Sequence, residues 1–332
     1  MQKRQNELNL WLTTLLGKQA FTLTPLAGDA SFRRYYRLHG FKYTRVVMDA
    51  PPLQETITPF LTIGKSLTAA GVHTPYVYAF DEKKGFILLE DLGDQLLLGS
   101  LIPENVSELY GYAMNLILQI QRIPTNHPPL PAFDKAHMLQ ELSLFREWFL
   151  QGYLNLLLTE QESLLLNNTF HWLIDELASQ PQVFIHRDFH SRNLMVNEEN
   201  LEDIGVIDFQ DAMIGPFTYD LVSLLKDCYI QWPREQIIEW VSAFYHRMPT
   251  PYNFTLESFT RAFDLCGLQR HLKVLGIFCR LHLRDHKARY LNDLPLTLNY
   301  VNACVESYPE LQGLCHFLQE RVHAPFAKKS LI

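Results

Sequence analysis

Residues that could cross-link the chain are scarce. Its 332 positions include five cysteines, Cys228, Cys266, Cys279, Cys304 and Cys315. None forms a C-x-x-C pair or falls at zinc-ligand spacing with histidine, and the odd number suits a reducing compartment, so neither disulfides nor a structural zinc are expected. Long apolar runs are missing as well, and nothing approaches the ~20 residues that a membrane-spanning helix needs. The basic start, MQKRQ, leads into Glu7 and Asn9, which interrupt what would be the core of a signal peptide. Leu8, Trp11, Leu12, Leu15 and Leu16 recur instead at helical spacing, so an amphipathic helix and a cytoplasmic protein with no membrane partner are expected. A basic surplus is also lacking. Lys and Arg number 29 against 36 Asp and Glu, a formal net charge of −7, which disfavours nucleic acid as a partner. There is no internal repeat and no low-complexity segment. A monomer is compatible with this pattern, which leaves the oligomeric state open.

What is present is enough apolar material, 47% of residues, for two compact lobes. From Phe21 to about Leu92 short β-type runs alternate with turn residues: FTLTPL, RRYYRL, TRVVMD and FILLED. Thr56 to Ala70 reads as a helix closed by Gly71. After Gly93 the period becomes helical, over Glu104–Gln121, Lys135–Leu157, Glu160–Ser179, Arg234–Arg247 and Leu256–Leu291. The Pro-rich connection PTNHPPLPAFD and two short β runs, VFIHRD and IGVIDF, interrupt it. The expected fold is α+β and bilobal, with residues 1–92 as a β-rich lobe and 93–332 as a mainly helical one.

The segment HRDFHSRNLMV, followed by GVIDFQDA, places Asn193 five residues after Asp188 and sets Asp208 at the end of a β run. This matches the H-R-D-x-x-x-x-N loop and the metal-binding aspartate of protein-kinase-like enzymes. The residue types follow from the chemistry. Phosphoryl transfer spreads charge over oxygens that must be neutralised, and hard Mg²⁺ prefers oxygen ligands, which Asn193 and Asp208 offer. A separate carboxylate, Asp188, is then in place to orient the attacking hydroxyl and accept its proton. As ordinary turn residues the three would be unremarked, since Asp and Asn favour turns. Their joint order and spacing, flanked by strand-type runs, argue for a catalytic loop.

With these segments in view, the chain resembles the aminoglycoside phosphotransferase and choline kinase family, and within it the anomeric amino-sugar kinases of cell-wall recycling. GDASFRRYYRL, VVMDAPP, LLEDLGD, LFREWFL, HRDFHSRNLM and IDFQDAMIGPFTYDLVSLLKDCYIQWP carry the resemblance, together with LQRHLKVLGIFCRL. It implies ATP and Mg²⁺ as cofactors, a small-molecule sugar as substrate, Asp188 as base, and Asn193 and Asp208 as metal ligands. It further implies that Gly28, Asp29, Ser31, Phe32 and Arg33 cover the nucleotide phosphates, that Glu90 and Leu92 lie beside adenine, and that Asp220 braces the catalytic loop. Two features depart from the kinase pattern. The phosphate loop has a single glycine, so Ser31, Arg33 or Arg34 would have to assist the backbone amides. Met48 stands near the position of the strand-3 lysine and cannot pair with phosphate.

No A-P-E motif follows Asp208, and DLVSLLKDCY begins within a dozen residues, which leaves no room for a peptide-docking segment. The acceptor is therefore expected to be small. Residues 261–290 hold seven Lys or Arg against Asp264 and Asp285. Arg270, Lys273 and Arg280 fall near one helical face and are candidate substrate residues for an anionic sugar, a setting that would repel polycationic aminoglycosides. The same residues also suit a solvated helix face. Phe145, Trp148 and Phe149 would suit either sugar stacking or the core. The leading expectation is phosphorylation of the anomeric hydroxyl of N-acetylmuramate or N-acetylglucosamine. The alternatives are another alcohol, such as choline, homoserine or an aminoglycoside, and a nucleotide-binding pseudokinase.

Overall fold

A computed structural model describes residues 2–26, 32–126, 129–249 and 253–329. Its chain begins with α1 (Gln2–Leu16), β1 (Thr22–Pro25), β2 (Arg34–His39), β3 (Arg45–Asp49), α2 (Thr58–Ala69), β4 (Val77–Asp81), β5 (Phe86–Glu90) and α3 (Leu97–Ser100). It continues through α4 (Val106–Ile120), α5 (Lys135–Leu144), a π-helical segment (Phe145–Tyr153), α6 (Glu160–Ala178), β6 (Gln182–Ile185), β7 (Leu194–Asn197), β8 (Asn200–Val206) and β9 (Met213–Pro216). The remaining α-helices are α7 (Tyr219–Leu225), α8 (Arg234–Arg247), α9 (Leu256–Leu283), α10 (Leu294–Ser307), α11 (Gln312–Phe317) and α12 (His323–Lys329). These elements form two compact units, Met1–Ser100 with Asn193–Asp211, and Leu101–Arg192 with Ala212–Ile332.

In the first unit an antiparallel sheet runs in the order β1-β2-β3-β5-β4. Alternation along the strands puts Leu38, Val47, Phe86 and Leu88 on one face, where they close over Leu8 and Leu12 of α1. The helix expected before Gly71 is α2. It opens on a proline in its first turn and ends where Gly71, at φ +83°, lets Val72 N–H bond back to Leu67 O at 3.0 Å. The edge strand β4 escaped the sequence reading because its aromatic side chains Tyr78 and Phe80 are about half exposed. The β7–β8 hairpin belongs to this unit, which therefore takes in chain well beyond Leu92. Val206 N–H donates to His73 O at 2.8 Å and Val196 N–H to Gln95 O at 2.9 Å. Gly205 allows the closeness, since a Cβ there would lie 2.7 Å from Leu92 Cδ1.

In the second unit α9 is buried on nearly all sides, which is the pattern of a helix at the centre of a bundle. Thr255 and Ser258 form a capping box at its start. It ends at Leu283 and not at Leu291 as its periodicity suggested; Arg284 and Asp285 pair at 2.8 Å and His286 turns to φ +57°. The helical run expected over Lys135–Leu157 divides into α5 and the π-helical segment, where Phe145 stacks on Phe149 at 5.4 Å. Both rings are fully buried, so they belong to the core and not to a sugar platform. The strands β6 and β9 pair antiparallel from Gln182–Pro216 to Ile185–Met213, and β6 delivers the chain to His186.

Candidate active site

Two buried aspartates hold the loop that carries Asp188. Asp220, in the first turn of α7, has no exposed surface and accepts N–H bonds from His186 at 2.7 Å and Arg187 at 3.0 Å. These bonds fix the bend at Arg187, which sits at φ +75°, a conformation that costs a non-glycine residue on the order of 1 kcal/mol. Burial outweighs the nearby His186 and both amide bonds and pushes the Asp220 carboxyl up to about 6. Asp227, just past α7, accepts from Ser191 N–H at 2.9 Å, from the Ser191 hydroxyl and from Tyr229 N–H at 3.1 Å. Asp188 and His190 lie between these anchors. The brace expected at Asp220 is thus where the resemblance implied, whereas Asp227 escaped notice inside the apolar run LLKDCY. A carboxylate interrupting such a run was the signal for it.

Asp188 is half-buried. Burial favours its neutral form, but Lys273 first, then His190, Arg270 and Arg187, overcome it and hold the carboxyl down at about 2. Lys273 and Arg270 both come from α9, one turn apart. Lys273 is also engaged with Glu141, 3.1 Å away, and donates to the Tyr219 hydroxyl at 3.3 Å. Arg270 is buried, with its guanidinium 3.6 Å from Cys228 Sγ, and stays charged. The structure therefore brings two of the three predicted substrate cations to Asp188. Arg280, two turns further along α9, has Arg284 and Asp285 as its charged neighbours.

Glu141, from α5, was not singled out in the sequence. Its carboxylate meets Arg187 at 2.5 Å and Lys273 at 3.1 Å and accepts from Gln269 at 3.0 Å. Burial opposes its ionisation, yet Lys273 and Arg187 keep it below the usual carboxylate range. Nothing in the local pattern LQELSL marks it out, because its partners lie far along the chain.

In the first unit Asn193 Nδ2 is 3.5 Å from Asp208 Oδ2. Asp208 follows β8 at φ +61°, and Gln210 Nε2 donates to its Oδ1 at 2.8 Å and to Asp211 Oδ2 at 3.3 Å. Gln210 is buried, and its Oε1 has no hydrogen-bond partner. Two side-chain amide nitrogens, of Asn193 and Gln210, thus face the Asp208 carboxylate, and the Gln210 carbonyl oxygen beside it is unsatisfied; a carboxylate with amide oxygens at hand is a set of groups that fits a hard cation such as Mg²⁺. Among the described residues no group of three His, Cys, Asp or Glu forms a metal cage.

Of the residues expected on the phosphate loop, Gly28, Asp29 and Ser31 lie outside the described residues. Phe32 is 61% exposed. Arg33 pairs with Glu55 at 2.7 Å, and both side chains are largely buried. Burial weakens its charge, but Tyr35 and Glu55 outweigh that and raise its proton affinity, with Asp211 also contributing. Met48 is buried in β3, opposite Tyr35 of β2. This unit therefore does contain a buried Arg–Glu pair beside Asp211, even though its third strand lacks a lysine. Glu90, at the end of β5, accepts from Tyr76 N–H at 3.1 Å and lies 3.5 Å from His73. Leu92 packs on the β8 backbone at Gly205.

Comparison with known proteins shows the family. The phosphotransferase enzyme family matches residues 22–254. The N-acetylmuramate/N-acetylglucosamine kinase of Pseudomonas putida is 39% identical over 330 residues, covering 96% of this chain and 96% of that one. Its namesake from Pseudomonas aeruginosa is 40% identical over 330 residues, covering 95% and 96%. The solved GDP complex of aminoglycoside 2′-phosphotransferase-IIIa is similar with a TM-score of 0.63 at 15% identity, covering 91% of this chain and 99% of that one. At that identity the likeness speaks to the fold, which is the α+β, protein-kinase-like one expected from the sequence.

Proposed function

The chain belongs to the phosphotransferase enzyme family, and from that premise we propose that it transfers the γ-phosphoryl group of ATP to the anomeric hydroxyl of N-acetylmuramate or N-acetylglucosamine, giving a sugar 1-phosphate in peptidoglycan recycling. The observation that carries this reading is the Asp188 loop, clamped at both ends by buried aspartates with its carboxylate kept ionised by cations. Asp188 acts as the base: it accepts the hydrogen bond of the attacking hydroxyl, orients it and takes its proton as the new P–O bond forms. Asn193 and Asp208 would hold Mg²⁺, with the Gln210 carbonyl beside them. Bound there, Mg²⁺ supplies positive charge to the phosphoryl oxygens. Arg33, held by Glu55, takes the phosphate-facing task that Met48 cannot perform, together with Gly28, Asp29, Ser31 and Phe32. Glu90 and Leu92 are the adenine contacts. Arg270 and Lys273 make the acceptor side favourable to anions, and Arg280 extends that charge along α9.

The test is incubation of the purified protein with ATP, Mg²⁺ and each sugar, read by phosphorus NMR beside arms with choline, homoserine and an aminoglycoside. A sugar 1-phosphate resonance with matching ADP is expected for the two sugars. Phosphorylation of a cationic alcohol without any sugar phosphate would overturn the assignment.

A further inference from the structure

From Ala262 to Gly276 every residue of α9 is buried. The stripe that carries Lys273 first reaches the surface at Ile277 and Arg280, both half-buried, because positions four and seven residues further on share its face. Lys273 is the foremost cation acting on Asp188, so Arg280 lies on the same face of α9, roughly 10 Å further along at 1.5 Å per residue. Its charge is unmatched. Arg280 forms no ion pair with a described residue, and its Nε is buried with no hydrogen-bond partner. Asp285, the acid that acts on it, is already engaged by Arg284 at 2.8 and 2.9 Å. Burial and Arg284 both weaken its hold on a proton, and a bound anion would relieve both. The other two cations of this helix differ: Lys273 has Glu141 at 3.1 Å, and Arg270 is enclosed. Arg280 is thus the one of the three that is accessible and lacks a counter-ion.

N-acetylmuramate and N-acetylglucosamine share the pyranose ring, the acetamido group and the anomeric hydroxyl. They differ in the lactyl ether on O3, which carries a carboxylate and projects away from the anomeric hydroxyl. A planar guanidinium matches a carboxylate with two parallel N–H bonds. We propose that Arg280 is the specificity-determining residue of the acceptor side: it pairs with the lactyl carboxylate of N-acetylmuramate and has no part in the binding of N-acetylglucosamine. The assignment rests on the reading of the protein as a kinase of these sugars, and it deepens that reading by separating the residue that distinguishes them from the groups that serve the shared hydroxyl.

The test compares wild type and Arg280→Gln in steady-state phosphorylation of N-acetylmuramate, its methyl ester and N-acetylglucosamine at saturating ATP. Arg280→Gln is expected to raise the KM for N-acetylmuramate by about tenfold to a hundredfold, the loss of a charge-assisted pair, with kcat within about threefold. Both constants for N-acetylglucosamine should stay within about twofold, which also shows that the variant is folded. In wild type the methyl ester should suffer the same rise in KM as the variant shows with the free acid. In Arg280→Gln ester and acid should behave alike, because the partner of the charge is already gone. An unchanged ratio of the two sugars' KM values would overturn the proposal, as would an ester effect that persists in full in the variant. Equal losses on both sugars would also overturn it and make Arg280 a residue of the fold. So would a wild-type protein that phosphorylates N-acetylglucosamine and not N-acetylmuramate. Wild type that phosphorylates neither sugar removes the sugar-kinase reading itself, whereas turnover of both sugars with an indifferent Arg280→Gln removes the present proposal alone.

Discussion

A carboxylate held at about 2 is a weak proton acceptor in its ground state, yet it stays ionised at neutral pH. That combination favours orientation over base strength. It suits phosphoryl transfer, in which the attacking oxygen gives up its proton late and most of the rate comes from alignment. Asp188→Asn keeps the shape and removes the charge, so kcat is expected to fall by about 10²–10⁴-fold with the KM for ATP within about threefold. Steady-state kinetics at saturating sugar measure this, and a kcat within about tenfold of wild type would remove Asp188 from the chemistry. Asp188, Asn193 and Asp208 were legible because their identities and spacing are written in one stretch of chain. Glu141 and Asp227 were not, because each reaches the loop from elsewhere in the sequence, as Gln269 reaches Glu141, and no local pattern announces a partner more than 30 residues away. Arg33 was legible as a basic residue, but its engagement with Glu55 emerged only from the fold.

The central helix α9 carries Arg270 and Lys273, so its seating sets where those charges stand. Two of its glycines report that seating in opposite ways. A Cβ at Gly276 would lie 2.4 Å from both the carbonyl carbon and the oxygen of Leu144, at the junction of α5 and the π-helical segment. Backbone cannot rotate out of the way, so Gly276→Ala should cost about 1–3 kcal/mol in urea unfolding and lower kcat as the helix shifts. At Gly267 the nearest atoms, Lys226 Cδ and Val222 Cγ1, are 3.6 Å away, an ordinary contact. Gly267→Ala should therefore gain about 0.5–1 kcal/mol from helix propensity. Equal effects of the two substitutions would contradict this packing. The apolar period made α9 legible but overran its end, since periodicity does not register the turn at His286. The strands β4, β7 and β9 were missed for other reasons. β4 alternates, but it turns its aromatics Tyr78 and Phe80 to the exposed side, the reverse of the usual pattern, while β7 and β9 are four residues long and mostly buried, so they show no alternation.

At the scale of the molecule, groups with opposite linkage to pH share the same interior, and separating them identifies the loop anchor by its titration. His271, stacked on Tyr300 and bonded to Lys226 O, is pushed down to about 3, by burial first and Arg270 second. Between that value and 6.5 the unfolded chain takes up its proton and the folded one does not, so His271 makes stability rise with pH. Glu141 and Asp264 are held below their ordinary values, and their contribution is lost only as pH falls below about 4. Asp220 runs the other way. Its ordinary value is 3.8 and its folded value about 6, so across that window the folded protein binds the proton that the unfolded chain has released, and stability from this group falls as pH rises. At about 1.4 kcal/mol per pH unit the full effect is on the order of 3 kcal/mol, present in full above pH 6 and absent below pH 4. The histidine term masks it in wild type alone. Asp220→Asn cannot titrate, so the stability difference between wild type and variant isolates it. The variant should be most damaging near pH 4.5, where it loses hydrogen-bond geometry at Arg187 without relieving any buried charge, and less damaging near pH 7.5 by up to about 3 kcal/mol. Urea unfolding of both proteins at the two pH values measures the change. A difference that does not move with pH would mean that Asp220 is ionised throughout, with its two amide bonds prevailing over burial.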